Sequence, residues 1–523
     1  MARTVSEVDA TPSNVYEVTV LLEALGFFRK DEAERSEFIK VTKRVQRLVP
    51  LYSAQSKKSL RKKSRSTIRR NLRAFTSGIA YSTMWSIMLM VLFAGGISLW
   101  ATYPERLGSL SAGVAFSVGF GVLISFIATG GAQQVFSQRI SYYRIQDNSP
   151  LARTEARRGY VIGFISIAIA ALAFLFAMAA TTVFPFELAT YTLLFLALLG
   201  SYLVLVIPLY AHRKFHLIAL GLITALACLY SVFYTINYSG LANANYDVVI
   251  SQFVSLVALN AITVIECIMV VFRPRQRMEN LRNPEFDNST PSRNIRAAKF
   301  SIVLLEMVPL FVFGTMFYLL LFLDRLVGWT AMGAPFLLTY STHYQFGADI
   351  ALLVLIPLTG MIYYFSAGFY DLLETESSTT QIQNREHLKN IMKGFVTRMF
   401  ASIGIVASAS VFILWQYAPL AFKITDTETL LVFRLSLIAY SLLALLLANT
   451  FISLSFRRYL VPALLFIVAI LTDIGVNLLS PRFILGWHHA YGLLVGLTLA
   501  TVIATVSTTR LIKHAHYFYY SAF

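Results

Sequence analysis

Apolar runs of roughly twenty to thirty residues alternate with short polar segments along most of this chain, and a helix of that length crosses a hydrocarbon core of roughly 30 Å. The runs fall near Phe75–Thr102, Leu110–Phe136, Tyr160–Phe184, Leu188–Tyr210, Phe215–Ile236 and Val248–Phe272, then Phe300–Leu323, Phe346–Gly368, Phe395–Tyr417, Leu430–Ser455, Tyr459–Leu479 and Ile484–Arg510. Between the two sets lies a hydrophilic stretch, Arg273 to Lys299, punctuated by proline. The pattern predicts an all-α polytopic membrane protein of about twelve transmembrane helices in two six-helix lobes. It divides into residues 1–74, 75–272 (N-lobe), 273–299 (linker) and 300–523 (C-lobe with its tail).

Before the first run, Asp31 and Glu34 are placed as an acidic capping box, and Phe38, Val41, Val45 and Leu48 follow at helical spacing up to Pro50. This predicts an amphipathic helix. A dense basic block follows, Lys57 to Arg70, which suits a topogenic signal touching anionic lipid or a docking site for a cytosolic partner. Near Met1 no apolar core follows a basic start, so no signal peptide is read there.

Composition sharpens the class. Hydrophobic residues make up 57% and charged residues only 14%, outside the range of soluble domains. The net charge of +17 would suit nucleic acid, yet the basic residues gather in alternate loops. One set holds Arg139, Arg144, Arg153, Arg157, Arg158, Arg213, Lys214, the Arg273–Lys299 stretch, Arg385, Lys389, Lys393, Arg398, Arg457, Arg458, Arg510 and Lys513. The opposite loops hold little beyond Arg106, Arg325, Lys423 and Arg482. That asymmetry predicts a multi-pass protein of the cytoplasmic (inner) membrane with both termini cytosolic, and it argues against nucleic acid as a partner.

Catalytic and metal motifs are missing. The chain has no phosphate-cradling glycine loop ending in Lys-Ser/Thr, no GxGxxG and no HExxH. Cys228 and Cys267 lie inside apolar runs, and His212 with His216 lacks a third ligand. No cofactor, metal or enzyme activity is expected. His488 and His489 beside Trp487 read as headgroup-level residues, and the GxxxG pairs Gly159/Gly163 and Gly492/Gly496 as close helix packing.

Polarity inside the spans is what remains. Glu266, Glu306 and Asp473 lie within apolar runs, whereas Asp324, Arg325, Asp349 and Arg434 sit at their outer ends. An ionised group at the bilayer centre costs roughly 2.5–3.5 kcal/mol on insertion scales, so such residues usually face a bundle interior or a hydrated path. Glu306, Asp473, Glu266, Asp324, Arg325 and Arg434 are therefore the candidates for a substrate or ion path. For Glu266 a pair with nearby Arg273 is the simpler reading. Pro309 and Pro357 are the hinge candidates, because each frees a backbone carbonyl within a span.

Several segments carry a family resemblance. "FYLLLFLDRLVGW", Phe317 to Trp329, resembles the seventh-span signature of the Pel exopolysaccharide transporter family, with Arg325 where that family has a lysine. "TGGAQQVFSQRISYY", Thr129 to Tyr143, is similar to the end of its second span, although the usual Asp after the Arg is replaced by tyrosine. "HYQFGADIALLVLIPLTG", His343 to Gly360, is similar to the start of its eighth. The resemblance covers roughly Phe75 to Phe523 and implies the fold of the multidrug/oligosaccharidyl-lipid/polysaccharide flippase superfamily. It also implies export of an exopolysaccharide or its precursor, with membrane lipids, the polysaccharide, a cytosolic glycosyltransferase and membrane-anchored synthase subunits as partners. Open alternatives are a lipid-linked oligosaccharide flippase, a cation-coupled drug antiporter of the same superfamily, and a membrane glycosyl- or acyltransferase. The last would have to draw on carboxylates such as Asp371, Glu374 and Glu376.

Overall fold

A backbone surrounded by hydrocarbon has to satisfy its own N–H and C=O groups, and the helix does so within one segment. The computed structural model of the protein describes residues 72, 75–76, 112–145, 149–180, 186–212, 214–238, 244–272, 300–329, 342–379, 385–479 and 489–514, and these are helical apart from short turns. The longer helices are α1 (Ala112–Ile145), α2 (Ser149–Ala180), α3 (Phe186–Leu205), α4 (Ile207–Ala211), α5 (Phe215–Tyr238) and α6 (Ala244–Cys267), the last continued by a wide turn, Ile268–Phe272. Then come α7 (Phe300–Gly328), α8 (Thr342–Ala351), α9 (Leu355–Thr379), α10 (Arg385–Ala421), α11 (Thr427–Ser455), α12 (Leu460–Leu479) and α13 (His489–Lys513). Among the described residues, 11 helical stretches are long and apolar enough to cross a membrane. Most of the predicted first span, the Arg273–Lys299 linker, the predicted amphipathic helix and the basic block lie outside the described residues.

Two of these stretches are broken next to proline. The stretch Leu188–Ala211 is interrupted at Val206, two residues before Pro208. In Tyr344–Ser366 a tight turn, Leu352–Val354, separates α8 from α9 just ahead of Pro357. Proline has no N–H to return to the carbonyl four residues back, so the ladder loosens on its N-terminal side. Pro309, in contrast, lies inside an unbroken α7.

The chain divides into two compact units, residues 1–76 with 363–388, and residues 77–362 with 389–523. In the first, Phe75 meets Tyr364 edge to face, with ring centroids 6.5 Å apart. In the second, α1 packs on α2 and α3, α6 on α3 and α5, α13 on α11 and α12, and α8 on α11. The helices α1 and α7 join these groups by running antiparallel along their length. Phe116 meets Trp329 at one end, Phe126 meets Phe322 in the middle, and Gly131 abuts Phe311 further on.

Helices run further than hydropathy alone indicates. The helix α1 continues past Phe136 to Ile145, and α2 starts at Ser149, well before Tyr160. Their polar flanks are knit together by Glu155, which accepts from Arg139 Nε at 2.8 Å and Arg158 Nη1 at 2.7 Å. The α11 end closes with Arg457 at φ 55, and Arg458 N–H donates to Ser453 O at 3.0 Å. This is the left-handed cap in which the first residue past the helix turns the chain back on its last carbonyls.

Both GxxxG pairs are close-packing points. A β-carbon on Gly159 would meet Phe136, one on Gly163 Val204, and one on Gly496 the Ala469 carbonyl. Span hydroxyls mostly return to their own helix: Ser125 Oγ donates to Gly121 O at 2.7 Å and Thr263 Oγ1 to Leu259 O at 2.7 Å. A serine or threonine in a span therefore marks nothing by itself.

Candidate functional site

Buried charge concentrates where α7 ends. Asp324 and Arg325 are consecutive, so on a helix they point about 100° apart and meet different neighbours. Both are fully buried, and Arg325 is among the largest completely enclosed side chains. Arg325 Nη2 donates to Asp349 Oδ1 of α8 at 2.7 Å. One turn earlier on α8, Gln345 Nε2 donates to both oxygens of Asp349, at 3.1 and 3.0 Å. Tyr344 OH donates to Asp324 Oδ2 at 3.1 Å. The α8 face is fixed because Tyr344 and Ala348 pack with Val432 of α11 and Ala490 of α13.

Helix α12 brings a third carboxyl. Asp473 is fully buried and takes a 2.8 Å hydrogen bond at Oδ1 from Asn477 Nδ2, one turn on. Asn477 Oδ1 lies 3.2 Å from His489 Nδ1. A β-carbon on Gly492 would collide with Asp473 and Asn477, so the glycine is what lets α13 close over them. Asp473 is within electrostatic reach of Asp324, and Tyr440 of α11 within reach of Arg325, Asp324 and Asp349.

One guanidinium thus pairs with Asp349 and lies within electrostatic reach of Asp324, which in turn is within reach of Asp473, all four groups being buried. The hydrogen bonding is incomplete on both sides. Among the described residues Asp324 Oδ1, Asp473 Oδ2, Gln345 Oε1 and Tyr440 OH have no partner, and neither have Arg325 Nε and Nη1. A buried polar atom left unpaired costs about 1–3 kcal/mol, more when charged, so a cluster of them needs a physical reason. Chemically this is a hard, oxygen-rich site. Among the described residues no group of three or more His, Cys, Asp or Glu side chains could hold a metal ion together.

Of the sequence candidates, the structure gathers Asp324, Arg325 and Asp473 here, with Asp349. Arg434 instead lays its guanidinium 4.7 Å from the Trp415 ring centroid on α10. Glu266 sits in α6, 2% exposed, with both carboxylate oxygens unpartnered; Tyr202 and Cys267 lie within its electrostatic reach. Its supposed partner Arg273 lies outside the described residues. Glu306 belongs to the first turns of α7, but its side chain is likewise outside the described residues. His489, read from the sequence as a headgroup-level residue, is buried among the helices because Asn477 gives it a partner there.

Tyr344, Gln345, Tyr440 and Asn477 went unread in the sequence. The signals were present as i, i+4 pairs: Gln345 with Asp349, and Asp473 with Asn477, each an amide one turn from a carboxylate.

No protein-family model matches the chain, and no curated protein sequence matches it. Solved structures do. The inward-facing conformation of a multidrug resistance MATE family transporter of the MOP superfamily superposes with a TM-score of 0.57 at 14% identity, over 83% of this chain and 95% of that one. The outward-facing conformation of a multidrug resistance MATE family transporter of the same superfamily gives 0.52 at 13%, over 86% and 96%. A MATE crystal structure in the bent conformation gives 0.55 at 11%, over 87% and 97%. The chain shares the MATE transporter fold. At these identities the likeness is one of fold.

Proposed function

We propose that the protein is a secondary transporter that moves its cargo across the membrane by alternating access between two helical halves, residues 75–272 and 300–523. The observation that carries this reading is the enclosed group of Asp324, Arg325, Asp349 and Asp473, in which, among the described residues, unpartnered donors and acceptors occur together. A purely structural bundle gains nothing from such a group, whereas a transporter uses it to bind and release a coupling ion. The likeness in fold to MATE transporters supports the same reading.

For the cargo we favour an exopolysaccharide or its precursor, on the strength of the Pel-like segments at Thr129–Tyr143, Phe317–Trp329 and His343–Gly360. A glycosyltransferase on the cytosolic side would then supply the polymer to an inner-membrane conduit with both termini cytosolic. A second reading, export of small amphipathic compounds in exchange for a cation, is favoured by the multidrug resistance transporters among the similar folds.

Purified protein in proteoliposomes tests both. Uptake of oligosaccharide under an imposed proton or sodium gradient supports the first, and gradient-driven movement of a fluorescent organic cation supports the second. Asp324→Asn and Glu306→Gln are expected to lower either flux at least tenfold with insertion intact. Parental flux in both variants would remove the acidic residues from the transport path.

A further inference from the structure

We propose that Arg325 is a resident cation that changes carboxylate partners: it rests on Asp349 in this structure and moves onto Asp324 and Asp473 in the alternate state, so that it competes with a small monovalent cation for those two carboxylates. The inference rests on the transport reading above and names the device that would couple the ion to the cycle.

Donors and acceptors are mismatched inside the site. Arg325 has five N–H bonds and is completely enclosed, yet only Nη2 is used, while Nε and Nη1 have no acceptor. In the same enclosure Asp324 Oδ1 and Asp473 Oδ2 have no donor. Donors without acceptors therefore coexist with acceptors without donors, with Asp324 in electrostatic reach of both Arg325 and Asp473.

Each carboxylate is also held on one side by a neutral donor. Tyr344 OH holds Asp324 Oδ2, Asn477 holds Asp473 Oδ1, and Gln345 holds Asp349. These clamps keep the carboxylates aimed inward whether or not the guanidinium is present. The Arg325 contact with Asp349 is a single one rather than the two-pronged pairing a guanidinium can make with a carboxylate. The Arg325 Cζ lies 5.3 Å from the Phe322 ring centroid, a cation–π contact that needs none of the guanidinium N–H groups.

With Arg325 on Asp349, the open oxygens of Asp324 and Asp473 can take a proton or a sodium ion, with Tyr440 OH as a further oxygen from α11. With Arg325 on them, that cation is expelled. His489 Nδ1 lies 3.2 Å from Asn477 Oδ1, so its ring tunes the clamp on Asp473. No covalent step is involved; one cation replaces another.

The test is cation binding by purified full-length protein in nanodiscs, with radioactive sodium for one arm and difference proton titration for the other. Asp349→Asn removes the resting partner, so Arg325 should settle on Asp324 and Asp473 and weaken cation binding at least tenfold. Adding Arg325→Gln to Asp349→Asn removes the competitor and should restore binding, a rescue that general damage would not give. Asp349→Glu keeps the charge, and it should leave cation affinity at or above the parental value if Asp349→Asn proves unfolded. Retained sodium identifies sodium as the ion; a variant-dependent change in proton uptake without sodium retention identifies the proton. Parental binding in Asp349→Asn, or no rescue in the double variant, or a tenfold loss in Asp349→Glu, overturns the exchange. Because binding is read without transport, a protein that shows this pattern but moves no cargo would refute the transport reading alone.

Discussion

The carbonyl oxygen of Gly314 lies 2.7 Å from where a β-carbon on Gly130 would sit, and the Gly130 carbonyl crowds the matching position on Gly314. Each glycine is the reason the other fits. This is where α1 and α7 cross, flanked by Tyr318, whose hydroxyl donates to Gln133 Oε1 at 3.2 Å. Membrane helices have little hydrophobic drive to associate, so backbone approach and packing carry the contact.

Enlarging either residue should therefore loosen the joint between the two helix groups. Gly130→Val and Gly314→Val are each expected to cost about 1–3 kcal/mol by overpacking and to lower the unfolding temperature in detergent. Gly394, within α10, has nothing within 4 Å of its would-be β-carbon, and Gly394→Ala should gain about 0.5–1 kcal/mol from helix propensity. Equal melting behaviour of Gly314→Val and Gly394→Ala would contradict this account.

At the basic end of α1 a second link reaches the α11–α12 turn. Gln138 Nε2 lies 3.4 Å from Tyr459 OH, and Arg457 Cζ 5.8 Å from the Tyr142 ring centroid. The contacts are long and partly exposed, as suits a joint that opens. Cysteines at Gln138 and Tyr459, in a background lacking Cys228 and Cys267, should be bridged by a short bifunctional reagent. Flux in proteoliposomes should stop after bridging and return when a cleavable bridge is cut. Undiminished flux through fully bridged protein would show that this end does not separate during transport.

Gly492 gives a probe of the buried cluster that removes no charge. Its α-carbon faces Asp473 and Asn477 too closely for any side chain. Gly492→Ala should displace the amide from the carboxylate and cut flux to a degree comparable with Asp473→Asn, whereas Gly475→Ala, with open space around it, should leave flux near parental. The check is flux per correctly inserted molecule.

Hydropathy made the spans legible because a membrane demands long apolar helices whatever their tertiary contacts. It could not locate the breaks near Val206 and Leu352–Val354 beyond pointing to Pro208 and Pro357, since a proline loosens the ladder ahead of itself and tertiary packing decides where. The candidate site was half legible. Asp324, Arg325 and Asp473 stand out as charges in apolar runs, but position along the chain says nothing about which face a residue presents. Asp324 and Arg325 thus read as residues at a span end, although both are completely buried. Glu155 was passed over altogether, because beside Arg153, Arg157 and Arg158 it looks like one more solvated loop charge.

Glu155 provides the sharpest stability prediction. It is 1% exposed at the polar end of α2 and holds Arg139 at 2.8 and 3.3 Å and Arg158 at 2.7 Å. Arg139 is itself buried, and its Nη2 also donates to Tyr143 OH at 3.3 Å. Arg158 is more open, with a quarter of its side chain exposed. Removing the shared acceptor leaves a guanidinium enclosed without its counter-charge, which in buried pairs costs about 3–5 kcal/mol. Glu155→Gln is therefore expected to destabilise the protein severely. Arg158→Gln should cost no more than about 1 kcal/mol, as for pairs in contact with solvent. Arg139→Gln should fall between them, because Arg158 still pairs the carboxylate that is left. The order Glu155, Arg139, Arg158 in loss of unfolding temperature is the measurable outcome. If Arg158→Gln proved as damaging as Glu155→Gln, the enclosed Arg139 pair would not be what joins α1 to α2.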